Sequence, residues 1–372
     1  MIEKVSCVKE KYPGERRVFL QPKHIKKILK LGVEVLIERD LGSNIGISNE
    51  EYKHAGATIV SRDEAWNESD MVLKYKVPIP DEYKFFREGL IITGALHAEG
   101  KPQLVNALCG SKTTAYSYEY FKTDDGIFPM MVATSEIAGK LAVIYGAFYL
   151  QSQFGGSGVL LSDIPECKPP KVLVIGYGNA GGAAAKMASD MGADVIVLGT
   201  NKERIRRYNG LSSRQIRCEM ISRELLIELL PSVDLVIGAV QISTYDTAPI
   251  IDDKLLSIMK KGSMIVDVTC GYGKGYLPTF DRKTDFNNPV YIKNGILHCA
   301  ISTLPAAVAS TSMEAIGELV VPYMINLIDY LNHGKRDDSL FESGLIIDKG
   351  IIVNSEVRRH YDYWISQGKK VL

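Results

Sequence analysis

The sequence predicts an α/β protein of two domains, on three observations. Short apolar runs alternate with helical patterns over residues 1 to about 130, as stacked sheets and helices require. Residues 171–199, KVLVIGYGNAGGAAAKMASDMGADVIVLG, read as strand, glycine turn, helix and strand. The 372 residues exceed one ordinary core and suit two domains of common size.

The elements follow in order. Lys23 to Lys30 reads as a helix, with Ile25, Ile28 and Leu29 at helical spacing and Pro22 at its start. Val33 to Ile37 reads as a strand. Met71 to Tyr75 is a second, closed by Lys76 and Pro78, and Leu90 to Leu96 a third, followed directly by His97. Thr134 to Gln153 reads as a long helix. The most apolar long window, Pro129 to Leu150, contains Glu136, Lys140 and several Gly and Ala, which suits a buried helix better than a membrane span. Gly155 to Gly158 and the segment IPECKPP punctuate the chain. Leu235 to Ile237, Met264 to Val268 and Leu297 to Ile301 read as further strands. Ala306 to Asn332 reads as one helical span kinked at Pro322, and residues 345–372 as a short strand and a last helix.

Composition excludes several classes. Lys+Arg and Asp+Glu each number 44, so a general nucleic-acid or anionic-membrane binder, which needs a basic surplus, is not expected. With 46% apolar and 24% charged residues the chain is ordinary globular material. The opening MIEKVSCVKEKYPGERR lacks the apolar run of a secretory signal, and the six cysteines form no CxxC pair. Reduced thiols in a cytoplasmic protein are therefore expected. Cys270 reads as a buried filler rather than a nucleophile. No metal is expected: His298 and Cys299 are adjacent on a strand and point to opposite faces.

The glycine turn Gly176-Tyr177-Gly178-Asn179-Ala180-Gly181 follows a strand and opens an Ala-rich helix. That context suits dinucleotide binding. The first glycine makes the turn, the second admits a pyrophosphate to the backbone, and the third lets helix and strand pack closely. The helix N-terminus supplies amide donors. The second strand of such a unit commonly ends in a carboxylate for the adenosine ribose. Here it ends Gly199-Thr200-Asn201-Lys202, with Arg204, Arg206 and Arg207 beyond. The missing carboxylate beside cations favours NADP(H) over NAD(H). The alternative is a solvated cationic helix face, with NAD bound through Thr200 and Asn201.

Three cations close elements. Arg17 stands at a turn-to-strand edge in RRVFLQP, Lys76 ends MVLKYK, and His97 ends LIITGAL. Strand ends are where α/β proteins carry reactive groups. Arg and Lys suit a substrate carboxylate, Arg bidentately, and His97 suits proton transfer near neutrality.

These residues lie within longer motifs: ERRVFLQP, LKYKVP, ALH, ATSEIAGKLAV, FGGSGVLLSDIP, the glycine turn, DLVIGAV, IVDVTCGYG and TLPAAVASTS. Through them nearly the whole chain resembles the alanine dehydrogenase and pyridine nucleotide transhydrogenase family, whose relatives include saccharopine dehydrogenases and N-carboxyalkyl amino acid synthases. The resemblance implies two Rossmann-like domains with a cleft between them, joined by long helices. Residues 1–133 with 306–372 would form the substrate domain, and 134–305 the dinucleotide domain. It implies that Arg17 and Lys76 hold the substrate carboxylate and carbonyl, that His97 is the acid–base partner, and that Ser135 lies near the cofactor phosphates. Gly238, Ala239 and Val240 would line the nicotinamide. Ile301 to Leu304, with Thr303 toward the substrate, would face nicotinamide and substrate. Dimers or hexamers are common in the family.

The sequence departs from the family pattern twice. Gly199 replaces an acidic residue, and Gly271 stands where a second Asp, after Asp267, is usual. The expected activity is nicotinamide-dependent reductive amination of a 2-oxo acid, or its reverse. Gly271 leaves room for an amine larger than ammonia, as in an opine-type synthase or a cyclic-imine reductase. A dinucleotide-binding sensor without turnover, and a transhydrogenase-like subunit, are the other readings; the second would need membrane partners.

Overall fold

The computed structural model describes residues 1–203, 205, 216–240, 249–269, 277, 282–334 and 339–367. Arg204, Cys270 and Gly271 therefore lie outside the described residues, as do Arg206 and Arg207. The chain divides into two compact units, Met1–Thr134 with Val308–Leu372, and Ser135–Ala307.

The strands of the first unit are β1 (Lys4–Cys7), β2 (Glu34–Glu38), β3 (Thr58–Val60), β4 (Met71–Lys76), β5 (Ile91–Ala95) and β6 (Thr114–Ser117). Those of the second are β7 (Lys171–Ile175), β8 (Asp194–Gly199), β9 (Ile216–Met220), β10 (Leu235–Gly238), β11 (Met264–Asp267), β12 (Tyr291–Lys293) and β13 (Ile296–Cys299). The chain then returns to the first unit with β14 (Leu345–Asp348) and β15 (Ile351–Ile352).

Both sheets have the same doubly wound topology. In the first the order is β15-β14-β6-β5-β4-β1-β2-β3, and in the second β12-β13-β11-β10-β7-β8-β9. Each starts in the middle, winds outward through two strands, then crosses back and winds the other way. The reversal between β1 and β4, and again between β7 and β10, opens a crevice at the carboxyl ends of those strands, where open α/β sheets take ligands. β1 to β6 pair parallel, and β14 adds antiparallel to β6.

Parallel strands buried on both faces explain the continuous apolar runs. In the first unit Val5, Val35, Ile37, Met71 and Leu73 face one core with Ile25, Met324, Leu327 and Ile328. Leu36, Val72 and Ile92, one register step away, face the other core with Trp66, Leu104 and Leu108.

The long helix runs Val132–Tyr149, ending earlier than the sequence suggests because a separate turn, Ser152–Phe154, follows. With the turn before it, Pro129–Tyr149 is long and apolar enough to cross a membrane by composition. Its glycines make close protein contacts instead. A Cβ on Gly139 would meet the Ala180 carbonyl oxygen at 2.0 Å, and one on Gly146 the Leu235 side chain at 2.4 Å.

The single helix expected over 306–332 is two, Ala309–Leu319 and Val321–His333, bent by 40° at Val320. Pro322 lies in the first turn of the second helix, where its missing N–H breaks no bond, so it starts a helix rather than kinking one.

Candidate active site

In the first unit four neighbouring strands or the loops after them deliver the polar cluster. Arg17 comes from the loop after β1, Lys76 from the last position of β4, His97 from just beyond β5, and Glu119 from the turn after β6. Two details differ from the sequence reading. Arg17 lies in the loop, outside any strand, and His97 stands two residues past the end of β5 rather than closing it. Its φ of 48° is left-handed and begins the turn Ala98–Gly100.

Arg17 is buried and already partnered. Its Nε donates to Glu15 Oε1 at 2.7 Å and its Nη2 to Glu15 Oε2 at 2.6 Å. Nη1 donates to the Tyr75 hydroxyl at 2.8 Å, and the guanidinium lies 4.0 Å over the Tyr75 ring. Tyr75 is held in turn by Glu10, which accepts its backbone N–H at 2.6 Å, and its hydroxyl contacts Thr134 Oγ1 at 3.2 Å. The edge of Arg17 best shaped for a carboxylate is thus taken by Glu15. A substrate carboxylate would meet only the remaining Nη hydrogens.

Lys76 is different. Among the described residues its ammonium has no ion pair or hydrogen bond, and its neighbour is the Tyr12 ring at 5.8 Å. Burial and then the positive charge of Arg17 lower its pKa, while Glu15, Tyr12 and Glu119 act more weakly in the other direction. Of these two adjacent cations only Arg17 is held in an ion pair among the described residues.

His97 faces two carboxylates. Glu119 Oε1 accepts the His97 backbone N–H and lies 3.5 Å from Nδ1, and Glu99 Oε1 lies 3.9 Å from Nδ1. Tyr120 donates to Glu99 at 2.9 Å. Burial raises the pKa of both acids, and the charge of Glu119 raises that of Glu99 further.

In the second unit the glycine turn joins β7 to the helix Asn179–Asp190. Gly176 has a φ of 104°, and a Cβ there would meet the Ala239 carbonyl oxygen at 2.5 Å and Val240 at 3.0 Å. The turn therefore lies against the end of β10, at the reversal point. A Cβ on Gly181 would meet the Gly176 carbonyl oxygen at 1.9 Å, so only glycine lets this helix approach its strand. Among the described residues nothing lies within 4 Å of the Cβ position of Gly178, and no side chain caps the helix. Open space over free first-turn amides is what a pyrophosphate needs, so these residues fit a dinucleotide. Ser135 lies one helical turn before Gly139 and shares its face toward this turn. Gly238 ends β10, followed by Ala239.

At the end of β8, Gly199 is covered by Tyr177, the second residue of the glycine turn. A Cβ at 199 would fall 1.7 Å from the Tyr177 ring. The Tyr177 hydroxyl accepts the Asn201 backbone N–H at 3.1 Å. Thr200 and Lys202 are exposed beside it. Ile301 and Thr303 are buried just after β13, in this same unit rather than with Arg17 and Lys76. Asp267 is buried at the end of β11, accepting from Thr269 N and Oγ1 at 2.9 Å each.

The sequence reading missed Glu15, Tyr75, Glu99, Glu119 and Tyr177. Glu119 was findable: it follows TAYS, and recognising that strand applies the same strand-end rule that picked Lys76. Glu15 stands two residues before Arg17, within side-chain reach.

Comparisons with known proteins place the chain in a family. The model described as "Alanine dehydrogenase/PNT, N-terminal domain" matches residues 6–138, and "Alanine dehydrogenase/PNT, C-terminal domain" matches residues 142–355. The chain belongs to the alanine dehydrogenase and pyridine nucleotide transhydrogenase family. An alanine dehydrogenase of Bacillus subtilis (strain 168) is 33% identical over 372 residues, covering 99% of this chain and 97% of the relative. A solved L-alanine dehydrogenase superposes with a TM-score of 0.87 at 30% identity, over 97% of this chain and 99% of that one. A transhydrogenase from Sinorhizobium meliloti shares the fold, with a TM-score of 0.78 at 21% identity over 94% of this chain and all (100%) of that one. Membership makes the protein an oxidoreductase that works with a nicotinamide dinucleotide.

Proposed function

We propose that the protein reductively joins a 2-oxo acid and an amine to give an amino acid, and catalyses the reverse oxidation. The observation that carries this reading is Lys76, a largely buried ammonium without an ion-pair partner among the described residues, beside an Arg17 whose carboxylate-shaped edge is filled. An incoming carboxylate relieves that charge, and a neutral ligand does not.

The residues divide the work. The free Nη hydrogens of Arg17 receive one carboxylate oxygen. Lys76 neutralises the carboxylate and polarises the carbonyl oxygen as the amine adds. His97 takes a proton from the amine that has added to the carbonyl and returns one to the resulting hydroxyl, which leaves as water, so that an imine forms at the α carbon. When bound, the nicotinamide supplies the hydride that reduces the imine carbon, or receives it in reverse. Gly176, Gly178 and Gly181, with the amides of Asn179 and Ala180 and the side chain of Ser135, would hold the dinucleotide's phosphates, and Gly238, Ala239, Val240, Ile301 and Thr303 would line its nicotinamide and the substrate.

For the cofactor we favour NADP(H). The Tyr177 ring fills the position from which a carboxylate at residue 199 would reach the ribose, and the exposed Lys202 can meet a 2′-phosphate. The amine is open between ammonia and a larger partner, and the glycine at position 271 favours the larger.

A rate panel tests the reading: oxidation of NADPH and NADH with pyruvate or 2-oxoglutarate against ammonia and a series of amino acids and cyclic imines. Turnover with at least one oxo acid and amine, lost in Lys76→Ala and His97→Ala, is expected. Full turnover in both variants contradicts it.

A further inference from the structure

Glu119 has no role in the residue assignment above, yet it is 6% exposed and makes two contacts to one histidine. Its Oε1 accepts the backbone N–H of His97 and lies 3.5 Å from the ring Nδ1. Its Oε2 is buried, and the Ser117 side chain also acts on the carboxylate. We propose that Glu119 is the positioning residue of His97, fixing its main chain and its ring through a single carboxylate oxygen.

Two physical points support this. A φ of 48° is strained for a residue with a Cβ and persists only when its surroundings over-determine it. The Glu119 contact to the amide does so, and the same oxygen near Nδ1 sets which ring nitrogen holds the proton. With Nδ1–H turned to a carboxylate, Nε2 is the nitrogen that exchanges protons, and a protonated ring is favoured by the adjacent negative charge. A carboxylate is costly to bury for packing alone.

Other charged groups among the described residues also face this pair. Glu99 lies 3.9 Å from Nδ1 and is held by Tyr120, without contacting the His97 amide. Glu356, on the C-terminal helix, acts on Glu99, and Lys76 acts on Glu119. Glu119 is thus the acid tied to both parts of His97.

The proposal rests on His97 being the acid–base group, and the test separates the two. Histidine NMR titration of the full-length protein without substrate, with His97→Gln to assign the resonance, is compared in wild type and Glu119→Gln. Loss of the carboxylate should lower the His97 pKa by about one unit and reduce the Nδ1–H tautomer. It should cut kcat at least about tenfold while KM for the oxo acid stays within about twofold. Glu119→Asp should move the titration back toward wild type. An unchanged His97 titration in Glu119→Gln overturns the proposal, whatever the rates do. If Glu119→Gln does not fold, Glu119→Ser carries the comparison, and an unchanged His97 titration there overturns the proposal. Undiminished turnover in His97→Gln would instead sink the acid–base reading and leave the titration result standing.

Discussion

The ring of Tyr177 occupies the space beside Gly199, so close that a Cβ at 199 would fall 1.7 Å from it. The two residues form one device. Tyr177 can lie over the end of β8 because position 199 has no side chain, and its hydroxyl then receives the Asn201 amide. An acidic residue at 199 would have to displace the ring.

This predicts the outcome of a cofactor swap. Gly199→Asp combined with Tyr177→Gly should raise the ratio of kcat/KM for NADH to that for NADPH by at least about tenfold, from 2′-phosphate repulsion and a gained ribose contact. Gly199→Asp alone should weaken both dinucleotides, because the ring is forced off its seat. Initial rates with both dinucleotides check this, and an unchanged ratio in the double variant contradicts the NADP(H) preference.

Lys76 predicts proton uptake. Its pKa is lowered in the free protein by burial and by Arg17, and a bound carboxylate opposes the second effect. Oxo-acid binding above neutral pH should therefore draw in a proton, in a fraction that rises as pH approaches the free-protein pKa and passes it. Calorimetric titration in buffers of different ionisation enthalpy measures it. Lys76→Met should abolish the uptake and weaken binding by about tenfold or more.

Most of the fold was legible because its parallel strands are buried on both faces. Runs such as VLVI at Val172 and LVI at Leu235 cannot be anything but strands between turn residues. β1, β3, β6, β9, β12 and β14 escaped because each is five residues or fewer and partly polar, as in KVSC, TAYS and LIID. The cations of the candidate site, Arg17, Lys76 and His97, stand out in the sequence because each lies at a motif edge. Their acidic partners were not, since pairing of Arg17 with Glu15 or of His97 with Glu119 depends on loop conformations that no periodicity encodes.

Glu99 predicts an alkaline instability. Burial, then the charge of Glu119, raises its pKa above the ordinary 4.5. A raised carboxylate pKa gives stability that is complete below the unfolded value and lost as pH rises toward the folded one. Glu99→Gln keeps an acceptor for Tyr120 and should stabilise the protein at pH 8 by on the order of 2 kcal/mol, with little gain at pH 4.5. Urea midpoints at the two pH values decide it, and equal gains at both contradict the shift.

His24 predicts the opposite limb. It is buried, with Nδ1 accepting the Gln21 N–H at 3.1 Å, and burial followed by Lys23 and Lys27 pushes its pKa down to about 4. Glu318 acts weakly the other way. A depressed histidine pKa gives stability present above about 6.5 and lost as pH falls toward about 4. His24→Leu should cost about 1 kcal/mol at pH 7 through the lost hydrogen bond. It should recover on the order of 2 kcal/mol relative to wild type by pH 4. Parallel stability curves for the two proteins would contradict this.

The central claim is hydride delivery to the α carbon of a 2-oxo acid and amine adduct. The direct measurement is mass spectrometry of the product formed from NADPH deuterated at the transferring position of C4, with the oxo acid and amine that give turnover. The account predicts one deuterium on the α carbon of an amino acid that carries the amine nitrogen. Dinucleotide oxidation that yields a 2-hydroxy acid, or an amino acid without deuterium at the α carbon, would contradict it.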